Sequence, residues 1–357
     1  FHAFEEKYSR RMVGNELKST TIKQSQLTYG FASLSKSTAA LMNDFFDLFD
    51  ESVFVYLSAF SKTEYIVRQV FSGYENSPLI DMDLLKYSVT KAIVTYRPEG
   101  VIQSLYAGPE KFLESLRDFL RQKIEEDSVN THLKQREIEQ FVCILLLLEN
   151  AEPIKTFDWD YGPTLATLKA FIQEKSICEY SLIIDREART AESARNLGFE
   201  HVSEGNSKEL FALRMADLLA GIAAKLMKAL ARALKYRNPA DEVRKKLLDV
   251  GWFKLTEERL AIYKKLHRIV IQSNNAWHKV SSGVYSDNLI CFTTFLSFVD
   301  NFSSPKDIQD DLPMMPEYFN AAVCGALESH YAIVRDTLPA IPTNSGNSEY
   351  FFNQRGG

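Results

Sequence analysis

The chain has 357 residues, of which 45% are hydrophobic and 25% charged, and its formal net charge is −5. The length favours two domains, and the composition is that of an ordinary globular protein. The negative charge argues against a wholly basic chain that coats nucleic acid, although it allows a local basic groove. The longest apolar run, "FVCILLLL" at 141–148, is too short to span a membrane. We find no signal peptide and expect a cytoplasmic protein.

Cysteine spacing and short motifs exclude several classes of protein. The four cysteines are far apart and form no CxxC pair, which favours buried, reduced thiols over a zinc site. They are Cys143, Cys178, Cys291 and Cys324. The chain also has no P-loop, no dinucleotide-binding glycine pattern and no GxSxG motif, which argues against a kinase, an NAD enzyme and a serine hydrolase.

The first half of the chain mixes helical and strand-like patterns. Helical periodicity covers 20–49, and "SVFVYLSAF" at 52–60 has the near alternation that is typical of a strand. From 81 to 150 the pattern is strongly helical, and Pro109 suits the first turn of its second segment.

A second alternating region follows a loop rich in proline, glycine and aspartate. Pro163 leads into a helix, and Leu182, Ile183 and Ile184 read as a buried strand of a parallel sheet. A short helix closed by Gly198 comes next. A long helix is then predicted at about 208–236, with Ser207 as its N-cap.

After Pro239 the pattern is almost entirely helical, with helices predicted at 240–249, 256–280 and 284–302 and a last one before a tail that looks poorly ordered. We therefore predict three parts. They are a domain at 1–238 with a helical insertion at about 81–150, a helical extension at 239–337 and a flexible tail at 338–357.

Two acids occupy unusual positions in these patterns. Asp185 directly follows the apolar strand, and side chains at the carboxyl ends of parallel strands point into the crevice where α/β proteins bind ligands. Asp217 lies inside the apolar stretch 211–226 of the long helix. Either acid is weak evidence alone, and a pair between Asp217 and its helical neighbour Arg214 is the alternative for the second.

The face of the long helix that carries Asp217 continues with a glycine and three cations. Gly221 has no side chain, so another backbone or a ligand could approach the acid closely. The cations along this stripe are Lys225, Lys228 and Arg232. A solvated helix face is the alternative interpretation.

A third acid, Glu16 in "VGNELKST", follows a turn signal and alone reads as an ordinary loop residue. Together, four short segments resemble the RNase H-like domain-of-unknown-function family numbered 3800. They are "NELKST" at 15–20, "YLSAFSKTEYI" at 56–66, "SLIIDR" at 181–186 and "RMADLLAGIAA" at 214–224. The "ADLLAG" piece is the most specific. The family's opening strand, which ends in Asp-Glu-Ser-Gly, is absent, and we expect it upstream of Phe1.

The resemblance implies an α/β fold, with an RNase H-like mixed sheet flanked by helices. It implies that Asp185, Asp217 and Glu16 are ligands of two Mg²⁺ or Mn²⁺ ions, since carboxylate oxygens suit these metals. Lys62, in the lysine position of the second segment, would steady a phosphate or a carboxylate. Lys225, Lys228 and Arg232 would contact nucleic acid.

The function that the resemblance implies is a nuclease that hydrolyses phosphodiester bonds of DNA or RNA with two metal ions. A role in antiviral defence follows by analogy with bacterial relatives. Two alternatives stay open. The chain is a catalytically degenerate scaffold that binds a protein partner or a second copy through its helices, or it binds nucleic acid without cleaving it.

Overall fold

The structure is a computed structural model. It describes residues 1–14, 16–77, 80–129, 131–149, 156–157, 162–235, 245–272, 276–279 and 285–337.

Helices form most of the described chain. In chain order the α-helices are α1 (His2–Lys7), α2 (Lys36–Phe46), α3 (Lys62–Val70), α4 (Met82–Tyr96), α5 (Glu99–Ser104), α6 (Pro109–Ser128), α7 (Thr131–Glu149), α8 (Gly162–Glu174), α9 (Ala188–Asn196), α10 (Phe211–Ala233), α11 (Glu257–His267), α12 (Asp287–Asp300), α13 (Pro305–Asp310) and α14 (Met315–Thr337). The helical interpretation of 81–149 is confirmed, and Pro109 begins α6 as expected.

The strands are short, and those that pair form two separate parallel pairs. The strands are β1 (Thr28–Phe31), β2 (Tyr56–Ala59), β3 (Leu182–Asp185), β4 (Val202–Gly205) and β5 (Ala276–Lys279). Strand β2 pairs with β5, and β3 pairs with β4. The predicted α/β class, with an RNase H-like mixed sheet flanked by helices, is therefore wrong. Two-stranded sheets bury too little surface to form a core, and the helices here bury their apolar faces against one another.

Two strand predictions were right in kind, but one was wrong in extent and the other in burial. The strand expected at 52–60 is β2, which is limited to Tyr56–Ala59. Strand β3 is parallel, as expected, but Ile183 is 41% exposed, and β4 is the one strand that pairs with β3 among the described residues. Helical periodicity also concealed two strands, since β1 lies within 20–49 and β5 within 256–280. Strand β5 depends on β2, more than 200 residues earlier, so tertiary pairing overrides the local pattern there.

The main hydrophobic core joins the beginning of the chain to its last third. Phe295 of α12 lies at its centre, with the rings of Trp252, Tyr263 and Phe319 at 5.2–5.4 Å between centroids. The same core includes Phe31 and apolar residues of α10. The boundary at 238 stays a prediction, but one continuous core crosses it. A second core lies among α3–α7.

Cysteine burial differs from the expectation. Cys291 is buried as predicted, but Cys143 and Cys178 are exposed. In the part of the chain that the structure describes, no helix is both long and apolar enough to cross a membrane.

A buried histidine joins α11 to α12 and makes stability depend on pH. His267 Nδ1 lies 3.1 Å from Asp300 Oδ2. Its Nε2 lies 3.2 Å from Ser297 Oγ. Burial lowers the pKa of His267, and the Asp300 carboxylate offsets only part of that effect. In the unfolded chain the histidine has its ordinary pKa of about 6.5, so the unfolded chain binds the proton more tightly than the folded chain does.

We expect the free energy of unfolding to fall as the pH decreases from about 6.5 to 5, and we expect His267→Gln to flatten this dependence. Urea denaturation at a series of pH values measures both slopes. Equal slopes for wild type and His267→Gln would assign the acid sensitivity to other groups.

Candidate functional site

The segment after Glu16 packs against the face of α10 that carries Gly221. A Cβ atom on Gly221 would lie 2.2 Å from the Cβ of Ser19, so only glycine fits at this position. A neighbour does approach closely at Gly221, whereas the expected approach of a backbone or a ligand to Asp217 stays a prediction. The neighbour is this chain's own N-terminal segment.

Lys225 holds the same segment in place. Its Nζ donates hydrogen bonds to the carbonyl oxygens of Ser19 and Ile22, the latter at 2.9 Å. Burial lowers the pKa of Lys225, and the charge of Asp217 acts in the opposite direction. In this arrangement the Lys225 ammonium is engaged by backbone carbonyls instead of facing outward with Lys228 and Arg232, both of which are exposed.

Glu16 is buried, which loop composition did not suggest. It is 5% exposed, accepts a hydrogen bond from Ser207 Oγ at 3.0 Å, and lies 3.1 Å from Lys18 Nζ. Burial alone would raise the pKa of Glu16, but bonds from Lys18 and Ser207, with the charge of Lys208, lower it. Ser207 was predicted to cap the long helix. That prediction is wrong, because Leu210 is the N-cap and the Ser207 hydroxyl binds Glu16.

Arg214 and Glu5 form an ion pair that no local pattern in the sequence indicated. Nε and Nη2 of Arg214 donate to the two carboxylate oxygens of Glu5 at 2.6 and 2.8 Å. Nη1 donates to the carbonyl oxygens of Ser207 and Lys208 at 2.6 and 3.1 Å. The alternative in which Arg214 pairs with Asp217 is therefore wrong for the described residues. The Arg214 guanidinium therefore links α10 both to α1 and to the segment between β4 and α10.

Asp185 and Asp217 are both exposed. Asp185 lies opposite Gly205 in the β3–β4 register, and its Oδ1 accepts a hydrogen bond from the Arg186 N–H at 2.9 Å. The apolar surroundings of Asp217 in sequence suggested burial, but α10 turns that position outward while Leu218 and Ile222 face the core.

The segments that carry the three acids meet at the beginning of α10. Gly205 pairs with Asp185, and Ser207, two residues further along, binds Glu16. Asp217 follows on α10, one turn after Arg214, which itself holds Ser207. The structure thus brings together three of the four segments that the resemblance names, although they are as much as 200 residues apart.

The carboxylates themselves do not form a metal centre. Within the described ranges, no three His, Cys, Asp or Glu side chains are grouped so that they could hold a metal ion. One of the three acids, Glu16, is already bound to a serine and a lysine. The described acids therefore do not fit the two-ion site that the resemblance implies, and the Mg²⁺ or Mn²⁺ cofactor stays a prediction.

Lys62 lies on a different element from the three acids. It is the first residue of α3, directly after the N-cap Ser61, and it is exposed. It follows β2, which belongs to the other two-stranded sheet.

A cavity of about 510 Å³ lies away from the acids, along α4, α5 and α6. Its lining includes Tyr96, Phe119, Lys123 and Glu126, together with Lys235 after α10. We place the candidate site at the acids because the cavity contains none of the residues that the resemblance identifies.

No family model matches this chain, and neither the curated proteins nor the solved structures contain a match.

Proposed function

We propose that this protein is a nuclease that hydrolyses phosphodiester bonds of DNA or RNA, with Asp185, Asp217 and Glu16 at its site. The observation that carries the proposal is the convergence of their three segments at the beginning of α10. Lys228 and Arg232 are exposed further along the helix that carries Asp217, where their positive charges would attract a nucleic-acid backbone. Asp185 and Asp217 are exposed as well, so their carboxylates are accessible from solvent. The family resemblance supplies the reaction class and the expected requirement for a divalent metal.

We expect cleavage of labelled single- or double-stranded DNA or RNA with Mg²⁺ or Mn²⁺, and none with chelator. Asp185→Asn and Asp217→Asn should each lower the rate about a hundredfold or more, as is typical when a group at a reacting centre is removed. Since both side chains are exposed, both variants should melt near the wild-type temperature. Glu192→Gln, an exposed acid of α9 outside the motifs, is the matched control. Cleavage that persists in both folded variants would contradict the proposal.

A non-catalytic interaction subunit is the second candidate, and the bonds that engage Glu16 and Lys225 favour it. In that case Glu16→Gln and Lys225→Met lower the melting temperature, and no nucleic acid is cut with any metal. Binding of nucleic acid that persists in chelator and weakens steeply with salt would support this candidate over the nuclease.

A further inference from the structure

The outward face of α7 is apolar where a surface helix would ordinarily be polar. The run 141–148 contains eight consecutive apolar residues, so one side of the helix cannot bury them all. Phe141, Ile144 and Leu148 face the second core. Val142 and Leu146 are 42% and 57% exposed, and Cys143 is exposed between them.

The inward face of α7 is held firmly on its neighbours. The Ser88 hydroxyl of α4 donates a hydrogen bond to Gln140 Oε1 of α7 at 2.8 Å. The hydroxyl of Tyr96 donates to Glu137 of α7, and burial raises the pKa of that carboxyl, with Asp127 adding to the effect. The outward face is thus a rigid, preformed surface, which lowers the entropic cost of docking.

Charged residues flank the apolar strip in a self-complementary order. Arg136 and Glu149 are exposed at its two ends, and Glu139 lies on the same face. Glu149 Oε1 also lies 3.5 Å from Arg121 Nη2 of α6, an exposed pair of the kind that contributes little and leaves the carboxylate open to a second cation. If a second α7 crosses antiparallel about a twofold axis between 142 and 143, residue 136 meets residue 149 of the other copy, and 142 meets 143. Each end then pairs a cation with an anion, and Val142 covers Cys143. Leu146 packs on the stem of Glu139, whose carboxylate already accepts a hydrogen bond from Gln135 at 2.9 Å.

A parallel arrangement lacks this match. It would put each Glu139 opposite its own copy, and like charges at a contact are unfavourable. The antiparallel arrangement is isologous and closes at two copies, which is the commonest symmetry of soluble oligomers.

We propose that the outward face of α7, formed by Arg136, Glu139, Val142, Cys143, Leu146 and Glu149, binds a second copy of this chain in an antiparallel, twofold-symmetric contact. The contact is small by the standard of stable interfaces, so the dimer dissociates on dilution. It lies outside the acid site and does not depend on the proposed function.

The test compares charge variants by sedimentation velocity over a concentration series. Wild type should pass from one chain to two as concentration rises. Arg136→Glu and Glu149→Arg should each weaken self-association about tenfold or more, because each brings like charges together at both ends. An equimolar mixture of the two variants should form a heterodimer with about the wild-type affinity. In that heterodimer a negative residue of one chain faces a positive residue of the other at both ends of the contact.

A thiol cross-link checks the register. Because Cys143 lies beside the proposed axis, a short bis-maleimide should join two chains in wild type and fail in Cys143→Ser, while the exposed Cys178 remains in both. A chain that stays monomeric at every concentration would overturn the proposal. So would a dimer that is unaffected by Arg136→Glu, or variants that do not complement each other when mixed.

Discussion

Replacing Arg214 with methionine should lower the free energy of unfolding by about 3–5 kcal/mol, the cost of leaving one member of a buried ion pair alone. Glu5 is 5% exposed, and both of its carboxylate oxygens receive their bonds from this one guanidinium. The change also removes the donor to the carbonyl oxygens of Ser207 and Lys208. Urea denaturation at neutral pH gives the value.

Arg232→Met is the matched control for this prediction, because it removes an exposed cation of the same helix and should change stability by less than about 0.5 kcal/mol. The double variant Glu5→Leu/Arg214→Met should be more stable than Arg214→Met alone, because it leaves no buried carboxylate unpaired. A loss below about 1 kcal/mol for Arg214→Met would mean that water replaces the guanidinium at Glu5.

Replacing Gly30 with alanine should destabilise the protein by about 3 kcal/mol, from backbone strain and overpacking together. Gly30 has a φ of +56°, in the left-handed region. A Cβ atom there would lie 2.2 Å from Tyr263 Oη and 2.6 Å from Trp252 Cζ3. Tyr263 cannot move freely, since its hydroxyl accepts a hydrogen bond from the Phe31 N–H at 2.7 Å inside the main core.

Gly73→Ala is the control for Gly30→Ala, because nothing lies within 4 Å of a Cβ atom at that position. Thermal melts of Gly30→Ala, Tyr263→Phe and the double variant distinguish backbone strain at residue 30 from the steric clash between the alanine Cβ and the Tyr263 hydroxyl. If the clash with the hydroxyl matters, the double variant loses less stability than the sum of the two single variants. An additive result would leave backbone strain as the main cause.

The acid site shows why a motif in the sequence does not establish a catalytic centre. The sequence identified Glu16, Asp185 and Asp217 through their residue types and neighbours, and their segments do meet. A metal site also requires carboxylates that face one another, which depends on side-chain directions fixed by packing. Here Asp217 faces outward and Glu16 is bound to Ser207 and Lys18. Comparing nucleic-acid cleavage by the wild type with cleavage by Asp185→Asn and Asp217→Asn tests whether this arrangement is catalytic.

Local patterns by themselves determined the helical region at 81–149. The periodicity of 81–149 and the proline at the beginning of α6 depend on residues a few positions apart, where sequence is informative. The need for glycine at 221 comes instead from Ser19, in a distant segment of the chain. Only the tertiary structure decided the sheet partners, the burial of Glu16 and the role of Lys225. It also paired Glu5 with Arg214, which are 209 positions apart. These features depend on contacts between distant segments, and the free energy of such contacts overrides local preference without leaving a periodic trace in the sequence.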